Sequence, residues 1–256
     1  MHNELSVPAS LVFAFLMVLV RMLGAFVFVP LPIAQAGPSQ LRVVMAVACT
    51  FALYPRWPSI QPPTGLAQMF MWLISELALG VTIGLAVSFI SESLTVGAQI
   101  LSMQAGYGFA SMVDPTTQAD SGVLLVAAQM TAGLLFFATG LDHQVIQAFA
   151  WSLDTYPPGK FWISREAAET LVRLGAGVFT IGLRIALPIV GLMLMTDLAL
   201  ALLGRIHSQL HLVSLAFPAK MLLALAMLAT VLVVFPSLYQ SYADTVFGAV
   251  RALVGH

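Results

Sequence analysis

What most constrains this chain is the length of its apolar runs. A helix crossing a hydrocarbon core needs about 20 mostly apolar residues, and residues 9–29 supply such a run with Arg21 as its only charge. Pro30 and Pro32 end it. Residues 41–54 form a shorter run, with Arg42 at one end and Pro55, Pro58, Pro62 and Pro63 beyond the other, which reads as a half-span or a packed hairpin arm. Residues 66–112 contain no proline but hold Glu76, Glu92, Gln99 and Gln104, a length and polarity that predict two helices or a bent pair. Gly106, Gly108 and the Asp114-Pro115 pair break the pattern and predict a loop over 107–120.

A further apolar helix is expected over 121–140. Residues 142–169, with Pro157, Pro158, Gly159 and the charges Asp154, Lys160, Arg165, Glu166 and Glu169, read as the longest solvent-exposed connection. The run 171–203 carries Arg184 and Asp197 and exceeds one crossing unless kinked or folded back; Pro188 is the natural kink. The last run, 212–239, has Pro218 and Lys220 near its start and Pro236 near its end, followed by a short amphipathic tail.

Composition excludes the soluble alternative. Hydrophobic residues make up 60 % of the 256 and charged ones 8 %, against about 25 % charged in an ordinary soluble domain. Too few charges remain to cover a water-facing surface, so apolar faces must meet lipid or partner subunits. The expected fold is therefore all-α, a multi-pass membrane protein of apolar helices forming a single domain over 1–256. Residues 2–10 hold Glu4 and no Lys or Arg, so the first run is expected to be a retained membrane helix rather than a cleaved leader.

Ten basic and eleven acidic residues are scattered singly, for a net charge of −1, which leaves no footprint for nucleic acid. Cys49 is the one cysteine, so no intrachain disulfide is expected. Neither a phosphate loop nor a nucleophile elbow occurs. His207 and His211 stand at metal-ligand spacing but lack a third ligand, and they read as a polar turn. The thirteen methionines read as core packing. No enzyme activity, metal or cofactor is expected.

The informative residues are the charges inside apolar runs: Arg21, Glu76, Arg184 and Asp197. Each costs about 2.5–3.5 kcal/mol at a membrane helix centre, so each should face protein or water. They could line an ion path or fix how helices assemble; without a chain of Asp, Glu and His the second reading is preferred. If helical, the stretch from Arg184 to Asp197 spans about 20 Å, too far for a direct pair. Gly80 and Gly84 form a G-x-x-x-G on the helix carrying Glu76, a spacing that allows close backbone approach.

Taken in order, these residues resemble the FliR family of flagellar export-gate proteins and its type III injectisome counterparts. Arg21, Pro30 and Arg42 resemble the family's opening pattern. The segment from Glu76 through Gly80 to Gly84 resembles its E-x-x-x-G-x-x-x-G helix. Gln104, Gly106, Tyr107, Gly108 and Phe109, followed by Asp114-Pro115, resemble its central Q-x-G…D-P element. Arg184 to Pro188, then Asp197 and Arg205, resemble its proline-broken helix with an acid and an arginine, and Phe217-Pro218-Ala219-Lys220 its F-P-x-K element. Where the family commonly has P-Q-x-N, this chain has Ser208-Gln209-Leu210-His211 and keeps only the glutamine.

The resemblance implies a noncatalytic subunit of a helical export-gate assembly in the bacterial inner membrane, at the flagellar basal body. It implies five FliP-type and four FliQ-type partners, neighbouring FlhB-type and FlhA-type export proteins, and unfolded proteins as substrates. It also implies that 107–120 forms a plug inside the conduit, with Phe109, Met112 and Val113 as an apolar constriction. The alternatives are an injectisome subunit, an ion-coupled secondary transporter using Glu76, Arg184 and Asp197, or a passive scaffold.

Overall fold

A computed structural model describes residues 8–30, 40–106, 123–206 and 212–254. In chain order the helices are α1 (Ala9–Phe26), α2 (Gln40–Ala52), a short 3-10 turn (Tyr54–Arg56), α3 (Leu66–Ala105), α4 (Val123–Ala138), α5 (Leu141–Thr155), α6 (Arg165–Ile206) and α7 (Leu212–Val254). The described residues form no strand.

Two of these helices correct the sequence reading, and a third narrows it. Residues 66–105 are one helix of 40 residues rather than two or a bent pair. Glu and Gln are good helix formers, no proline interrupts, and Glu76 and Gln104 find partners inside the protein while Glu92 and Gln99 stay on the helix's exposed side. The run around Pro188, expected to be kinked or folded back, is one helix of 42 residues and is not folded back. The final run does not stop before a tail; α7 continues for 43 residues through Pro218 and Pro236. At 1.5 Å per residue each is about 60 Å long, twice a hydrocarbon core of about 30 Å.

A third correction concerns the stretch 142–169. Much of it is α5, whose Leu141, Val145, Ala148, Phe149, Ser152 and Leu153 are buried at helical spacing. Gly140, with φ +70°, takes the left-handed conformation that lets the chain turn from α4 into α5.

Among the described residues, Ala9–Phe26, Leu66–Ala105 and Arg165–Arg205 are long and apolar enough to cross a membrane; the bent pair α4 and α5 adds a fourth candidate if it is one span. The chain divides into two compact units. One comprises residues to Phe89, Phe136–Leu174 and those from Ala243 on; the other comprises Ile90–Leu135 and Gly175–Tyr242.

In the first unit α1 lies against both α2 and α3. Phe15 of α1 stacks at 5.3 Å on Phe51 and 5.5 Å on Trp57, and Trp57 donates its indole N–H to the Thr50 carbonyl at 2.9 Å. In the second unit Leu101, Ala105, Leu124, Ala186, Ile189, Met193 and Ala224 form an apolar cluster from α3, α4, α6 and α7. There the Tyr239 hydroxyl donates to the Ala132 carbonyl at 3.2 Å and lies 3.3 Å from Ser91 Oγ, tying α7 to α4 and α3.

Candidate functional site

The first unit is built around one ion pair. Arg21 is fully buried, and its Nε donates to Glu76 Oε2 at 2.7 Å. One terminal nitrogen donates to Ser152 Oγ at 3.0 Å, the other to the Tyr156 carbonyl at 3.0 Å. Glu76 Oε1 accepts the Gly159 N–H at 3.3 Å. Both charges are thereby neutralised and hydrogen-bonded, the condition under which buried ions are tolerable. The pair joins α1, α3, α5 and the 156–159 turn. Tyr156 in turn donates its hydroxyl to the Leu253 carbonyl at 3.2 Å, and Ser75 Oγ donates to the Phe161 carbonyl at 2.8 Å.

Backbone contact holds α1 and α3 close enough for this pair to form. A Cβ on Gly80 would strike the Arg21 carbonyl oxygen, one on Gly84 the Ala25 carbonyl, and one on Gly24 would lie 2.8 Å from the Leu77 carbonyl. Only glycine fits at these crossings, the physics behind small residues spaced by four. Gly24 was not singled out from the sequence, since it has no small partner in the motif's register on its own helix.

In the second unit Asp197 of α6 meets Lys220 of α7, with Nζ 2.8 Å from Oδ1 and 2.9 Å from Oδ2. Gln104 Nε2 reaches Asp197 Oδ2 at 3.5 Å. The lysine side chain is 12 % exposed and the aspartate 41 %, so this pair is partly wet, unlike the first. Gly97 and Gly182 bring α3 and α6 together: a Cβ on Gly97 would sit 3.2 Å from the Gly182 carbonyl.

A family model for bacterial export proteins, family 1, matches residues 12–246. The chain belongs to this family. Its relatives include the flagellar biosynthetic protein FliR of Escherichia coli K12, 27 % identical over 84 % of this chain and 82 % of the relative. That of Pectobacterium carotovorum is 27 % identical over 89 % and 87 %, and that of Caulobacter vibrioides 30 % identical over 76 % and 78 %. The FliR family is noncatalytic. Among the described residues no three His, Cys, Asp or Glu stand close enough to hold a metal ion.

In this FliR-family chain the motif residues fall into two sets. Arg21, Glu76, Gly80 and Gly84 come together in the first unit; Gln104, Asp197 and Lys220 do so in the second. Arg184, Pro188 and Arg205 join neither, and all three are exposed along α6. Arg42 donates to the Val27 carbonyl at 3.0 Å, capping the end of α1. Gly106, with φ +82°, closes α3. Tyr107, Gly108, Phe109, Met112, Asp114 and Pro115 lie outside the described residues, as do His207 to His211.

Sequence reasoning missed Ser152, Tyr156 and Gly159 as partners of the buried pair. Ser152 carries a usable signal, since a serine on the buried stripe of an amphipathic helix needs a polar neighbour. The Tyr156 carbonyl and the Gly159 N–H carry none, being backbone groups whose placement only the tertiary fold fixes.

Proposed function

We propose that this chain is a noncatalytic subunit of the flagellar type III protein export gate. It spans the bacterial inner membrane at the basal body and lines a conduit for unfolded flagellar proteins with five FliP-type and four FliQ-type subunits, next to FlhB-type and FlhA-type export proteins. The observation that carries the reading, beside family membership, is the outer face of α6. Only 22 % of its most apolar stretch is buried within the chain, while Phe179, Leu187, Met195 and Leu198 are more than half exposed. A helix about twice a bilayer in length with such a face needs other subunits along part of it.

The chain's own contribution is mechanical. The Arg21–Glu76 strut and the glycine crossings fix α1 on α3 without moving parts. Gly106 turns the chain out of α3 toward 107–120, which plugs the conduit at rest, apolar side chains at a constriction excluding water and ions. The test uses the complex co-expressed with FliP-type and FliQ-type subunits and measures conductance in planar bilayers without substrate. Shortening 107–120 is expected to open an ion leak, with Phe109→Ser and Met112→Ser leaking less. A well-assembled, shortened complex as tight as the parent would remove the plug from the reading. Failure of the parent chain to assemble with those subunits would remove the gate.

A further inference from the structure

The outward stripe of α6 has a pattern beyond general apolarity. Arg184, Leu187, Gly191, Leu194, Leu198 and Arg205 follow one another at steps of three, four, three, four and then seven, the repeat of a helix-packing seam. Arg184, Leu187, Leu194, Leu198 and Arg205 are exposed. A Cβ on Gly191 would meet nothing within 4 Å, so the seam points away from the second unit's own core, where Ala186, Ile189 and Met193 face inward.

Two features of this stripe distinguish a protein neighbour from lipid. Arg184 stands between exposed Leu183 and Leu187 with no acidic partner among the described residues. Arg205, at the helix's last turn, is accommodated by the negative end of the helix dipole; Arg184, mid-helix, is not. Pro188 lies four residues after Arg184 inside the helix. Having no N–H, it leaves the Arg184 carbonyl without its helical donor. One position thus presents a guanidinium with no acidic partner among the described residues and a carbonyl deprived of its helical donor, and hydrocarbon offers nothing to either. Gly191 adds a notch where lipid gains little contact but a second helix can approach closely.

We propose that this seam receives one apolar helix of a partner gate subunit, which places a carboxylate opposite Arg184. The inference rests on the export-gate reading and adds to it the face, the register and the chemistry of the partner. The guanidinium donates to the carboxylate in a forked pair, the geometry arginine favours, and leucines on either side exclude water from it.

The experiment uses the full chain with Cys49→Ala, co-expressed with FliP-type and FliQ-type subunits. Single cysteines at Leu187, Leu194 and Leu198 are cross-linked in the assembled complex, with Leu192 as an off-seam control, and a photoreactive phospholipid is present as competitor. Cross-links from the three seam positions to one and the same subunit are expected, with little from Leu192. Arg184→Glu should weaken association by about thirtyfold or more, the usual scale for spoiling a buried interfacial charge pair. Replacing the partner's facing acid by arginine should restore it. The isolated variant should elute as the parent does, because Arg184 touches no acidic group among the described residues. Seam positions labelled by the phospholipid alone, in a complex that assembles normally, would overturn the seam and leave the gate standing. Association unchanged in Arg184→Glu would do the same. A parent chain that assembles with neither subunit would overturn both.

Discussion

Replacing Arg21 by methionine removes a buried cation and strands its anion. Glu76 would keep only the Gly159 N–H at 3.3 Å, while the Tyr156 carbonyl and Ser152 Oγ would each lose a donor. Breaking a buried pair from one side costs about 3–5 kcal/mol, a large part of the roughly 5–15 kcal/mol that holds a domain folded. Glu76→Gln should cost less, because the guanidinium retains Ser152 and Tyr156 as acceptors. The double variant Arg21→Met, Glu76→Gln should recover much of the loss, since no uncompensated charge remains. Unfolding by SDS in mixed micelles, followed by tryptophan fluorescence, reads this directly: Trp57, Trp72, Trp151 and Trp162 are the chain's four tryptophans, and all lie in the first unit. If the two single costs simply add in the double variant, or if Arg21→Met costs under about 1 kcal/mol, the pair is not the strut described.

Two further outcomes follow from the packing. Gly80→Ala drives a Cβ into the Arg21 carbonyl and should cost about 1–3 kcal/mol, as overpacking does, whereas Gly65→Ala meets nothing within 4 Å and should leave the fluorescence transition where it was; equal effects would refute the crossing. Lys220→Met should be mild, about 1 kcal/mol or less, because its aspartate is 41 % exposed and partly screened by solvent. Size-exclusion profiles after graded heating test this, and aggregation as early as that of Arg21→Met would contradict it.

The charges in apolar runs were the most legible part of the site. Glu76 in a membrane-length helix demanded a partner, and chain order alone could not name Arg21, which lies 55 residues away. Asp197 was legible as too far from Arg184 for a direct pair; its choice of Lys220 depends on α6 and α7 packing side by side. The α3 run was misjudged because its length and polarity were taken to exclude a single helix. Inside protein, a glutamate or glutamine keeps its helix intact by bonding a neighbouring element. The α5 segment was misjudged for the opposite reason: Asp142, His143, Gln144 and Asp154 drew attention to its wet side, though Leu141, Val145, Ala148 and Phe149 repeat at helical spacing on the other.

The Arg21 network also sets an order on biogenesis. Every partner of that guanidinium is translated later: Glu76 by 55 residues, Ser152 by 131 and the Tyr156 carbonyl by 135. At about 5–20 residues per second, the last arrives roughly 7–27 s after Arg21 itself. Throughout that interval α1 holds a bare cation whose insertion is disfavoured by about 2.5–3.5 kcal/mol. The polar network that seats α1 in the first unit is thus completed only by segments the ribosome has yet to make when α1 emerges.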